Sequence, residues 1–108
     1  MTRFRLRFCF DAGSGTALWS ANDEARQRFD YPVMPERVPV SPGLQQQLEA
    51  HCQWFDRSLN FADPAGPGLF SAEECERFNA QTMELLERLT RELGPEFEIV
   101  NEFKPLRE

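Results

Sequence analysis

Histidine occurs once in this chain of 108 residues, at position 51, and cysteine three times, at 9, 52 and 75. No two cysteines form a CxxC pair and no His/Cys cluster has the spacing of a zinc site, so the sequence predicts no metal and no cofactor. Three widely separated cysteines instead read as reduced, mostly buried thiols of a cytoplasmic protein. Long apolar runs are missing too. No stretch approaches membrane length, and Met1-Thr2-Arg3-Phe4-Arg5 lacks the apolar core of a signal peptide, so no membrane partner is expected. Basic charge is scarce: 12 Lys and Arg stand against 18 Asp and Glu, a net charge of −6 and a pI near 4.8. Affinity for nucleic acid rests largely on neutralising phosphates, so nucleic acid is not an expected partner. Gly13-Ser14-Gly15 is followed by no Gly-Lys-Ser/Thr, which removes a phosphate-binding loop.

Bulk for a core is present. Hydrophobic residues make up 41% of the chain, with ten Phe and two Trp, and the length suits one domain over residues 1–108. Arg3-Phe4-Arg5-Leu6-Arg7-Phe8 alternates charge with large apolar residues, the period of a strand with one buried face. Glu96-Phe97-Glu98-Ile99-Val100-Asn101-Glu102-Phe103 alternates similarly, with acids where the first strand has arginines. Opposite charges facing across a ladder contribute roughly 0.2–1 kcal/mol per pair, so Arg3, Arg5 and Arg7 are expected to pair with Glu96, Glu98 and Glu102.

Between these strands the punctuation is clear. Asp11 to Gly15 forms a turn, and the short apolar stretch Thr16 to Trp19 completes a hairpin. Ser20 or Asn22 caps a short helix from Ala21 to Phe29, which the proline after Tyr31 ends. Prolines 32, 35, 39 and 42 make an extended connector with Val38 and Val40 tucked against the body. Ser41-Pro42 opens a second helix, predicted to reach Leu59, with Leu44, Leu48, Cys52 and Phe55 on its apolar stripe. Residues 60–68 are rich in turn-formers. Ser71-Ala72-Glu73-Glu74 is a capping box, and Cys75, Phe78, Thr82, Leu85, Leu86, Leu89 and Leu93 form the buried stripe of a long third helix stopped by Gly94-Pro95. Residues 104–108 read as a frayed tail. The expected architecture is α+β: a small antiparallel or mixed three-stranded sheet, made of the N-terminal hairpin and the C-terminal strand, with one short and two long helices packed on one face.

No arrangement carries catalysis. His51 and Cys52 are adjacent on a helix and so point about 100° apart, which does not make a nucleophile-base pair. The acids of the third helix, with Glu84-Arg88 and Glu87-Arg91 as i,i+4 pairs, read as a solvated face or as a docking patch for a basic partner. The candidate partner-binding residues are Trp54, which falls off the main apolar stripe, with Asp56, Phe61, Asp63, Glu73 and Glu76 around it.

Ala17-Leu18-Trp19-Ser20-Ala21-Asn22-Asp23-Glu24-Ala25, Ser58-Leu59-Asn60-Phe61 and Glu92-Leu93-Gly94-Pro95-Glu96-Phe97-Glu98-Ile99 resemble segments of a family of small bacterial proteins of uncharacterised role. In size, in acidity and in the lack of a catalytic set, the chain is also similar to immunity proteins that neutralise the toxins of rival bacteria. That resemblance implies a non-enzymatic binding protein, monomer or homodimer, that covers a basic toxin domain. The alternatives are a small enzyme or ligand-binding domain with a pocket between the sheet and the 60–70 loop, and an oligomer formed through the edge of the hairpin strand.

Overall fold

A computed structural model describes residues 2–63, 66 and 68–107. Pro64, Ala65 and Pro67 of the expected loop lie outside the described residues, as do Met1 and Glu108. The alternation at the N-terminus produces strand β1, Phe4–Phe8, whose Phe4, Leu6 and Phe8 are buried while Arg5 is exposed. Gly13 and Gly15, at φ 72° and 74°, turn the chain back into β2, Leu18–Ser20. β2 lies antiparallel to β1, with Trp19 opposite Arg7. The last strand, β3, Phe97–Asn101, lies parallel to β1 on its other side, with Glu98 opposite Arg5. The order β2-β1-β3 makes the sheet mixed and places the first strand in its centre.

The charge code joins the ends of the chain at two of the three expected places. Arg5 Nε lies 2.9 Å from a Glu98 carboxylate oxygen and Arg7 Nε 3.7 Å from Glu102. Arg3 instead reaches Glu24, at 3.3 Å. Glu96 serves by its backbone, its carbonyl accepting the N–H groups of Arg3 and Phe4. These pairs are half exposed, so each contributes at most about 1 kcal/mol. They align the strands more than they stabilise them.

Helix α1 runs over Asp23–Phe29 with Asn22, not Ser20, as its cap: the Asn22 side chain accepts the Ala25 N–H. Helix α2, Pro42–Arg57, is capped by Ser41 and stops two residues short of Leu59, because Ser58 turns its hydroxyl back to the Phe55 carbonyl. Helix α3 spans Ala72–Leu93, with Ser71 accepting the Glu74 N–H, and Gly94 at φ 80° ends it. The Glu74 side chain does not close the reciprocal half of the capping box, because it accepts the indole N–H of Trp54 at 3.1 Å. The expected Glu84–Arg88 pair is replaced as well. Arg88 turns toward Glu92, at 2.9 Å.

All three helices contribute to the apolar layer beneath the sheet, through residues such as Ala25, Phe29, Leu44, Leu48, Leu85 and Leu89. The connector wraps this layer as a 3-10 turn over Pro35–Arg37, with Val33, Val38 and Val40 buried. Its first residues also cover the outer edge of β2: Ser20 N–H bonds the Tyr31 carbonyl and Val33 N–H bonds the Leu18 carbonyl. That edge is therefore not open to a second copy. The tail is anchored rather than frayed. Asn79 takes the Leu106 N–H at 2.8 Å and gives its amide N–H to the Leu106 carbonyl at 3.0 Å, while Phe103 packs against Phe10 and Phe78.

Candidate functional site

Three regions leave exposed side chains or hollows at the surface. The first is the loop between α2 and α3. Phe61 leaves 70% of its surface exposed and Leu69 62%, large apolar areas to hold in water at roughly 25 cal/mol per Å². Asp63, Glu73 and Glu76, all exposed, lie on this loop and the first turns of α3. The local pattern gives no reason to single out Leu69, which stands among turn-formers. Its N–H bonds the Ser58 carbonyl, which fixes the backbone while leaving the side chain outside.

Trp54 and Asp56 have internal work. The Trp54 ring sits edge-on to Phe78 at 4.9 Å and to His51 at 5.3 Å, and its indole N–H bonds Glu74. Asp56 accepts the Gly13 N–H at 3.1 Å, tying the hairpin turn to α2. Both remain partly exposed.

The second region is a groove of about 550 Å³ between α2 and α3, with His51 and Trp54 in its wall beside Arg57, Arg88 and Arg91. His51 is buried and its Nε2 lies 2.7 Å from the Thr82 hydroxyl. Thr82 gives its one proton to the Phe78 carbonyl at 2.7 Å, so His51 donates to it through Nε2–H; the lowered pKa keeps the ring neutral near pH 7. Burial lowers its pKa to about 4. Its neighbour Cys52 packs in the core, and burial first, then the charges of Asp56 and Glu49, push its thiol up to about 12. The two residues thus face different surroundings and neither is poised for nucleophilic chemistry near neutral pH.

The third region is a cavity of about 640 Å³ where the tail crosses the end of the sheet, lined by Cys9, Phe10, Phe55, Phe103 and Leu106 among others. Burial raises the Cys9 pKa, with Arg7 opposing. Among the described residues no group of three or more His, Cys, Asp or Glu side chains is placed to hold a metal ion, and no helix is long and apolar enough to cross a membrane.

No curated protein matches the chain. A family profile described as Serratia CdiI immunity protein-like matches residues 5–102, from the second residue of β1 to just beyond β3. That span takes in every element of the sheet and the helices, and the chain accordingly belongs to the Serratia CdiI immunity protein-like family.

Proposed function

We propose that this protein is an immunity-type inhibitor that neutralises a bacterial toxin by covering it, acting in the cytoplasm as one α+β domain. Family membership supports the class, and the observation that carries the mode is the exposure of Phe61 and Leu69 beside Asp63, Glu73 and Glu76. Exposed apolar anchors with acids close to them in the chain suit a binding surface: the anchors limit dissociation and the acids accelerate encounter with a basic partner. The expected partner is a basic toxin domain, in keeping with the net charge of −6. Trp54 braces the start of α3 through Glu74, while Asp56 holds the hairpin turn through Gly13. No catalytic step is assigned to the protein.

The test uses purified candidate toxin domains from the genes adjacent to this one. Phe61→Ala is expected to weaken toxin binding at least tenfold, mainly through faster dissociation, with little change in stability. Glu73→Lys together with Glu76→Lys is expected to slow association, with the difference from the native chain shrinking as salt rises. Failure of every one of these domains to bind the native chain would refute the reading.

A further inference from the structure

The two edges of the sheet are treated differently. The β2 edge is covered by residues 31–33, whereas β3 is a terminal strand with no described segment beyond it. The register shows which groups this leaves open. Phe4 N–H bonds the Glu96 carbonyl and Glu102 N–H bonds the Phe8 carbonyl, so residues 96, 98, 100 and 102 turn their backbone groups toward β1. Phe97, Ile99 and Asn101 turn theirs away. Phe97 N–H is taken by the Gly94 carbonyl. The open edge thus consists of the Phe97 carbonyl, both groups of Ile99 and the Asn101 N–H. Natural sheets blunt such edges with bulges, prolines or coverings because they are templates for another strand. Among the described residues β3 has neither proline nor cover, but it does have charge.

Glu96, Glu98, Val100 and Glu102 share one face of β3, and Phe97 and Ile99, both partly buried against the core, share the other. A second copy fits this edge poorly. Antiparallel pairing centred on Ile99 would set Glu96 against Glu102 of the other copy at both ends, and like charges directly opposite are destabilising. A strand alternating basic and apolar residues fits well. Its cations would meet the acids, while its apolar side chains would extend the layer over Phe97 and Ile99. The molecule already contains one such pairing, since β1 presents Arg5 and Arg7 to Glu98 and Glu102 from the inner side. Glu98 and Glu102 keep 44% and 45% of their side-chain surface exposed, and a carboxylate has capacity for further donors.

We propose that β3 is a docking edge for an extended basic-apolar segment of the toxin, which adds to the sheet as a fourth strand. This rests on the toxin-neutralising reading and specifies how the partner is held: backbone hydrogen bonds supply affinity, and the alternation of acids and apolar residues supplies the register.

The first test probes the edge with a synthetic peptide of alternating lysine and valine, seven residues long with blocked ends, beside its glutamate-valine counterpart. Hydrogen exchange of the Ile99 and Asn101 amides is expected to slow at least tenfold with the lysine peptide and to stay unchanged with the glutamate peptide. Unchanged exchange with both peptides overturns the proposal, as does protection that appears without peptide and rises with protein concentration, because a second copy would then own the edge. Ile99→Pro removes the central outward N–H at a position where an edge strand tolerates proline, and should abolish the protection at Asn101. Should that variant fail to fold by circular dichroism, Glu96→Lys, which breaks no side-chain ion pair, should weaken the peptide at least threefold.

The second test uses the same candidate toxin domains from the adjacent genes. Loss of at least tenfold in affinity with Ile99→Pro or Glu96→Lys supports the edge. Equal binding by these variants and the native chain, with loss in Phe61→Ala, overturns the edge and leaves toxin neutralisation standing. No binding by the native chain overturns both.

Discussion

The two ends of the α2–α3 pair are held by opposite chemistry. Where α2 begins, the contact is polar. Glu92 accepts the Ser41 N–H at 2.7 Å and the Arg88 Nε–H at 2.9 Å, and Arg88 also reaches Gln47. The Ser41 backbone bond is the first cause of the lowered Glu92 pKa. Where α2 ends, the contact is aromatic. Phe78 is fully buried, stacked at 4.6 Å on His51 and edge-on to Trp54, with Phe70 and Cys75 completing the cluster. Hydrogen bonds of the polar end compete with water and are weakened by salt, whereas the aromatic end is stabilised by area removed from water. The same pair of helices should therefore have one tunable end and one fixed end.

The largest expected break is at the fixed end. Phe78→Ala removes the ring on which His51, Trp54 and Phe70 converge and should cost about 3–5 kcal/mol by urea unfolding. Next is acid. His51 titrates near 4 in the fold against 6.5 when unfolded, so between those values the unfolded chain binds more protons. The His51 contribution to stability should be flat above about pH 7 and fall by a total of about 3 kcal/mol as pH drops through 6.5 to 4. Comparing the native chain with His51→Gln isolates this contribution from that of the carboxylates. Equal pH dependence in the two would contradict the buried neutral imidazole. Thr82→Val leaves the His51 Nε2–H without an acceptor and should cost about 1–3 kcal/mol at pH 7. At the polar end, Ser41→Ala removes the cap of α2 and one donor to Glu92, a loss of about 1 kcal/mol. Raising salt to about 1 M should erode the polar end by a few tenths of a kcal/mol and leave Phe78→Ala no worse than before.

How much of this was visible in the residue order depends on the range of the interaction. Periods of 2 and 3.6, together with Ser41, Ser71 and Gly94, disclose the strands, the two long helices and their caps, because those signals are local. The charge alternation of Arg5 and Glu98 even discloses a contact between the chain ends. Choices between competing partners are not legible. Arg88 has acids both four residues before and four after it, and selects Glu92 because Ser41 and Gln47 lie on that side. Arg3 selects Glu24 because α1 passes beside β1. The tail, polar and proline-broken, gives no hint that Asn79 will hold Leu106 by both backbone groups. For the candidate surface, the acids and Phe61 could be named from composition and loop position. Leu69 and the open edge of β3 could not, since each depends on what the rest of the fold leaves uncovered.

The parallel pairing of β1 with β3 has a consequence for how the protein is made. The Arg5–Glu98 contact joins residues 93 positions apart, and the central strand of the sheet cannot be flanked on both sides until the last strand has been synthesised. Closing so long a loop comes late and slows folding relative to local contacts. The native sheet should therefore form only once β3 has emerged from the ribosome, and until then the apolar side chains of β1 lack their cover on that side.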